Sequence, residues 1–363
     1  MLRIVVTLIL IVSILGCKRE KAQLFFVASW GDVSVKNSKK NTPVSKPAKK
    51  HQGQAVKNKV KSSGKKKNVV KIPAKKSEKQ MIVIAGSRPN TEKFNVAGNI
   101  CNYLNQHPKS NFRCFVETTP SVKYSLQNAH KYDFIISQTN LDKKFQNKHN
   151  GLTSMFSLYP ETFTLIVGKD SGINSISDLK GKKVYVSSDI SSANLAFNKV
   201  LESVKIKPKN VEIKSGANAS YRLCEGRIDA IFTDIRHPDV DIITFINHCG
   251  ARLIPLQGKG IANLIKNYNE YIKAEIPGGV YTSYPQSIKS FGIMTNLIAT
   301  SRVSDATAFE ITKLIFDDLE KFKTSDPALL DLTPGQMTVM NQGLIFSIHA
   351  GARKYYKENS IKH

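Results

Sequence analysis

The 363-residue sequence lacks the signatures by which many enzymes, metalloproteins and membrane-spanning chains are recognised. It contains no GxSxG and no HExxH, so it has neither a nucleophile elbow nor a zinc-peptidase helix. Catalysis needs a nucleophile beside an activating base, or carboxylates held at different pKa values, and no such pattern is recognisable. Gly258-Lys259-Gly260 lacks the GxxxxGK[ST] form of a phosphate loop and is read as a turn. Cys224, His237, His248 and Cys249 lack the paired CxxC or HxxxH spacing of a zinc site. His349 stands alone near the end of the chain and is read as structural rather than as a general base. The chain is therefore read as a non-enzyme, with no cofactor and no metal. No repeat of fixed period occurs, and the apolar run at residues 4–15 falls short of the roughly 20 residues that cross a bilayer.

Acidic residues are also scarce, with 28 Asp and Glu against 54 Lys and Arg and a formal net charge of +26. Such an excess suggests a polyanion as partner, so its placement matters. Residues 18–80 hold 19 Lys and Arg against 3 acids, whereas residues 81–363 hold 34 against 25. The cations sit mainly on a tail, not on a recognition helix, and nucleic acid is not an expected partner.

What is present begins with Met1-Leu2-Arg3, a short basic start that leads through the apolar run to Ile14-Leu15-Gly16-Cys17. That ending resembles a bacterial lipobox, which makes residues 1–17 a lipoprotein-type signal peptide and Cys17 the lipidation site. An ordinary signal with an incidental Cys is the alternative, and either form exports the chain. The expected location is periplasmic, lipid-anchored to a membrane of the bacterial envelope. Residues 18–80, as in Lys61-Ser62-Ser63-Gly64-Lys65-Lys66-Lys67-Asn68, are too poor in apolar side chains to offset their ordering entropy and are expected to be a disordered Lys-rich tether. A surface-exposed envelope protein that holds a polyanion through this tail is the alternative reading of the whole chain.

Four further cysteines, in an oxidising compartment, allow three pairings. Cys101 with Cys114 and Cys224 with Cys249 are preferred, each bridge contributing about 2–4 kcal/mol through chain entropy. Four free thiols in the core are the alternative.

From Met81 the texture is α/β. Met81-Ile82-Val83-Ile84-Ala85 reads as a buried strand; Phe94, Ala97, Ile100, Cys101 and Leu104 follow at helical spacing. Residues 112–116 and 132–136 read as further strands, separated by Thr118-Thr119-Pro120-Ser121, a helix start with Pro in its first turn. A second series runs through residues 163–167, 183–186, 211–213, 230–233, 242–245 and 253–256, all expected as short strands, with a helix after the Ser-rich turn Ser187-Ser188-Asp189-Ile190-Ser191-Ser192. Helical stretches near residues 309–322 and 328–332 are expected to pack back on the first series. This rhythm predicts a mainly parallel sheet covered on both faces. In open α/β sheets ligands sit beyond the carboxyl ends of strands, so Ser87, Thr119, Ser121, Ser191 and Ser192 are candidate binding residues at turns where free backbone N–H groups favour carboxylate or phosphate.

Six further stretches are Asn99-Ile100-Cys101-Asn102-Tyr103-Leu104-Asn105, Phe112-Arg113-Cys114-Phe115-Val116-Glu117-Thr118-Thr119, Asp178-Leu179-Lys180-Gly181-Lys182-Lys183-Val184, Cys224-Glu225-Gly226-Arg227-Ile228-Asp229-Ala230, Ile276-Pro277-Gly278-Gly279-Val280-Tyr281 and His349-Ala350-Gly351-Ala352-Arg353-Lys354-Tyr355-Tyr356-Lys357-Glu358. Taken in this order, they resemble the TAXI family of solute receptors that serve TRAP transporters. The resemblance implies a type II periplasmic-binding-protein fold of two α/β lobes joined by a hinge, with residues 81–165 and 285–363 in lobe 1 and residues 166–284 in lobe 2. It implies a cleft that closes on a small organic acid or amino acid of the glutamate or 2-oxoglutarate class, a TRAP transporter membrane permease as partner, and the two cysteine pairs. Carried over by position, the ligand-binding residues are Ser87, Thr119, Ser121, Gln138 and Ser191. Ser87-Arg88-Pro89-Asn90 and Lys93-Phe94-Asn95 depart from the family pattern, and Arg88 is expected to pair with a solute carboxylate in compensation.

Overall fold

The computed structural model describes residues 78–148, 151–186, 191–215, 218–339 and 343–363; Cys17, nearly all of the Lys-rich segment and residues 187–190 of the Ser-rich turn lie outside them. Strand β1 (Gln80–Ala85) starts one residue inside the segment assigned to the tether and pairs in parallel with β2 (Phe112–Glu117) and β3 (Phe134–Gln138). Between β1 and β2, helix α1 (Glu92–Gln106) is started by Thr91, whose side chain accepts from Phe94 N, and buries Ala97, Ile100, Cys101 and Leu104 at the predicted spacing, with Phe94 only half-buried. Gly86 ends β1 where any side chain would fail: a Cβ there would lie 2.6 Å from Val116 Cγ1.

Two long strands dominate the remainder. Strand β4 (Thr153–Val167) has 15 residues, or about 50 Å of extended chain. In later chain order come β5 (Lys183–Val186), β6 (Glu212–Lys214), β7 (Ala230–Ile235), β8 (Arg252–Ile254), β9 (Ile272–Ile276) and β10 (Ile288–Ala299), the last antiparallel to β4 along most of its length. Strand order is β2-β1-β3-β10-β4-β7-β5-β6, with β8 on β4 and β9 on β10. Parallel strands thus stand on either side of an antiparallel pair that passes from one to the other.

Buried apolar residues gather in four clusters, two for each parallel set of strands, and the larger one of each set marks the passage between them. One cluster joins Ile82, Ile100, Phe112, Phe134 and Tyr159 to Ile311, Phe322, Leu329 and Tyr356 from the end of the chain. A second gathers Phe163, Val184, Phe197, Phe232, Phe291 and Ile293. On β4 the chain leaves the first at Tyr159 and enters the second at Phe163; on β10 it leaves the second at Ile293 and enters the first at Leu297. The residues between are Pro160-Glu161-Thr162 and Met294-Thr295-Asn296. Two lobes on a two-strand crossover make this the type II fold.

Three local expectations are corrected. Residues 242–245 are not a strand but part of helix α6 (Val240–Cys249), because the Asp239 carboxylate accepts from the N–H groups of Asp241 and Ile242 and the buried pair Ile242 and Phe245 has helical spacing. Pro120 does not lie in the first turn of α2 (Val122–Gln127); Ser121 is the cap and Pro120 precedes it. Gly258 starts helix α7 (Lys259–Asn267) instead of closing a turn, and Gly260 lets that helix meet α4 (Ser192–Ser203), since a Cβ would come 2.4 Å from Ser203 O.

Disulfides join Cys101 to Cys114 and Cys224 to Cys249, with Cα separations of 4.8 and 5.0 Å, so two of the four residues considered as zinc ligands are bonded to each other. The first ties α1 to β2 inside the core. Replacing both Cys101 and Cys114 by Ser is expected to lower stability by about 2–4 kcal/mol, read as a shift of the urea midpoint without reductant. No shift would mean that the bridge is redundant with the packing around it.

Candidate functional site

Where the cores change over, four polar side chains from four strands form a row across the sheet. Register places Gln138 of β3 opposite Thr295 of β10, and Phe163 of β4, two residues past Glu161, opposite Asp234 of β7. Gln138 Nε2 donates to Glu161 Oε2 and to Asp234 Oδ2, both at 2.7 Å. Thr295 Oγ1 donates to Glu161 Oε1 at 2.6 Å, and Lys93 Nζ of α1 lies 2.7 Å from the same oxygen. Two carboxylates reaching for one amide fix which end of Gln138 faces them, since only the NH2 can donate.

The electrostatics follow from burial. Burial alone would lower the Lys93 pKa, but the Glu161 and then the Asp234 carboxylates outweigh it and hold the ammonium charged. Asp234 is pushed up to about 6, first by burial and then by Glu161, with Lys93 opposing. Two further hydroxyls point into the row: Tyr159, beside Glu161 and Thr295, and Ser192, beside Asp234.

Contacts between the two series of strands surround this row. Arg236, just past β7, pairs with Glu92 of α1 at 2.6 Å. Asn140 Nδ2, in α3 (Thr139–Phe145), donates to Ser192 O at 2.9 Å, and Thr139 Oγ1 donates to Glu270 O at 2.7 Å. Arg236 also lines a groove of about 940 Å³ floored by Leu158, Pro160 and Thr162 of β4, with Lys273 and Asp331 on its walls. Beside it, burial pushes His237 down to about 4, and its ring is held between Thr164 Oγ1 at 2.9 Å and the Tyr281 hydroxyl at 2.7 Å.

Of the residues singled out from sequence, the structure brings Gln138 and Ser192 into this constellation with Asp234. Ser191 is the cap of α4, its hydroxyl accepting from Asn194 N. Ser87 is buried with φ of 72°, and its carbonyl accepts from Thr119 N, so the first two turns are tied together. The Thr119 hydroxyl meets Ser125 Oγ at 2.8 Å and Ser121 caps α2, so both are occupied in local structure. Arg88 is exposed and makes no ion pair among the described residues. His349 caps α11 (Ala350–Glu358), accepting from Gly351 N, which makes it structural as expected. Lys93, Glu161 and Asp234 were missed. Lys93 stood out only as a departure from a family pattern. Glu161 and Asp234 had one signal, an acid interrupting or ending an apolar strand.

Behind the row, Asp142 is buried, accepting from Ser137 Oγ at 2.5 Å and Asn296 Nδ2 at 3.3 Å. Burial pushes its carboxyl up to about 7, against those two hydrogen bonds. The folded state therefore holds this proton more tightly than the unfolded chain. The resulting stability is fully present below about pH 4 and is lost as pH rises to about 7. His237 acts oppositely, losing stability as pH falls from about 6.5 toward 4, so the effect must be read by difference. Asp142→Asn is expected to lose less stability than the wild type between pH 4.5 and pH 7.5, measured by urea midpoints. An equal loss in both proteins would contradict the assignment.

An ancestral arginine-binding protein bound to arginine superposes with a TM-score of 0.41 at 18% identity, covering 69% of this chain and 97% of its own. The periplasmic aliphatic sulphonate-binding protein of Escherichia coli gives 0.41 at 13%, covering 78% and 94%. The alkanesulfonate-binding protein of Xanthomonas axonopodis pv. citri bound to MOPS gives 0.42 at 14%, covering 79% and 96%. Superpositions this loose leave the fold assignment resting on the strand order. The model of the NMT1-like family matches residues 84–359, well over half of the sequence, and the chain belongs to the NMT1-like family.

Proposed function

We propose that this chain is an extracytoplasmic solute-binding protein that captures a small solute at the junction of its two lobes and passes it to a membrane transporter. One observation carries the reading. The apolar cores change over at Glu161 and Thr295, and there both lobes contribute buried polar groups to one constellation. A hinge of two strands lined with polar groups suits opening and closing on a ligand. It is read as a binding protein and not an enzyme, because the sequence holds no recognisable pairing of a nucleophile with an activating base.

In finer detail, the receptor belongs with the TAXI type and serves a TRAP permease, as the sequence motifs suggest. The solute is a small organic acid or amino acid. Lobe 1 comprises residues 81–165 and 285–363, and lobe 2 residues 166–284. Ser87, Arg88, Thr119, Ser121, Gln138, Ser191 and Ser192 remain the proposed contacts, with Lys93, Glu161 and Asp234 added. Two disulfides support an oxidising location outside the cytoplasm; anchoring through Cys17 and a tether of residues 18–80 complete the proposal. Isothermal titration of the full chain against amino acids, 2-oxo acids and C4-dicarboxylates tests it. Saturable binding of at least one small solute is expected; silence from every class with folded, monomeric protein would count against it.

A further inference from the structure

The charges of the constellation do not balance. Glu161 is matched, because its Oε1 receives the Lys93 ammonium and Thr295 Oγ1 while its Oε2 receives Gln138. Asp234 receives the neutral Gln138 amide at Oδ2, and no Lys, Arg or His comes within ion-pair distance of it among the described residues, the Lys93 ammonium being seated on Glu161. The Ser192 hydroxyl is 98% buried against this carboxylate and the Tyr159 hydroxyl 99% buried against Thr295, yet neither has a partner in well-formed hydrogen-bond geometry. Polar atoms so enclosed are ordinarily paired, so both hydroxyls point to a missing polar partner at this spot. Asp234 itself keeps partial exposure, and a group entering the junction can reach it.

We infer that the missing partner is a primary ammonium group of the solute, seated on Asp234 and Ser192 with Gln138 alongside. The inference rests on the reading of the chain as a solute-binding protein and narrows the solute to an amino acid or amine. An ammonium brings one positive charge and three donors, which answers one unmatched carboxylate and a hydroxyl acceptor. A 2-oxo acid or simple dicarboxylate brings negative charge toward Asp234, and the Lys93 ammonium is already bound to Glu161. A bare metal ion fits less well, since no group of three or more His, Cys, Asp or Glu residues is placed to hold one among the described residues.

Pairs of probes that differ only in amino against oxo decide the matter. The full chain would be titrated with L-glutamate and 2-oxoglutarate, L-alanine and pyruvate, L-leucine and 4-methyl-2-oxopentanoate, and with putrescine as an amine lacking carboxylate. In at least one pair, or with putrescine, the amine is expected to bind at least about 100-fold more tightly than the oxo acids. Asp234→Asn should abolish that preference, and Ser192→Ala should weaken amine binding about tenfold while the fold, followed by circular dichroism, is retained. An oxo acid that binds as tightly as every amine would overturn the ammonium site while leaving the solute-binding reading intact. So would an Asp234→Asn protein with undiminished preference. Failure of the folded wild type to bind any probe would overturn both; should Asp234→Asn not fold, the wild-type pairs and Ser192→Ala still decide.

Discussion

Phe163→Ala is expected to destabilise the protein by about 3–5 kcal/mol. Phe163 is wholly buried, and its ring lies 5.6 Å from that of Phe232, 4.8 Å from Phe291 and 6.0 Å from Tyr271. These partners come from β7, from β10 and from the turn before β9, so no single segment can collapse into the space left behind. Phe163→Leu, which keeps much of the volume, should cost less than half as much. Urea unfolding at neutral pH reads both. A loss below about 1 kcal/mol for the Ala variant would show that the second core does not depend on this ring. Because Phe163 faces Asp234 in register and lies two residues past Glu161, the same variant should also weaken solute binding.

Lys93→Met is the second large effect, expected at about 3–5 kcal/mol. The Glu161 side chain is 4% exposed and would lose its only ion-pair partner among the described residues while remaining buried. The loss arises from the stranded carboxylate rather than from the intrinsic strength of the pair. The double variant Lys93→Met with Glu161→Gln should therefore recover most of it, and a double-mutant cycle measures the coupling. Additive losses would mean that the two groups do not interact in solution. Because the Lys93 pKa is raised by its partners, its stabilisation is fully present below about pH 10.5 and is lost only as pH climbs beyond that.

Much of the architecture was legible in the sequence because local patterns agreed with the fold. The apolar run at β1 and the helical spacing from Phe94 to Leu104 correspond to a strand that buries Ile82, Ile84 and Ala85 and a helix that buries Ala97, Ile100, Cys101 and Leu104, while Met81 is exposed. Residues 242–245 misled because Ile-Ile-Thr-Phe is β-branched and apolar, and periodicity over four residues cannot separate strand from helix. The cap at Asp239 was the better signal.

The site was less legible, for a physical reason. Small hydroxyls at turns are both good ligand contacts and good helix caps, and here Ser121 and Ser191 cap helices while Thr119 bonds to Ser125. What makes Gln138 and Ser192 different is their long-range company, Glu161 and Asp234, brought together by strand register. No local window of sequence contains that meeting.

Hydrogen–deuterium exchange of the full chain, with and without a saturating solute, tests the central claim most directly. The account predicts protection centred on residues 134–142, 159–164, 191–196, 232–236 and 293–296, the segments from both lobes that meet at the junction. Protection confined to one lobe, or lying away from these segments, would contradict it.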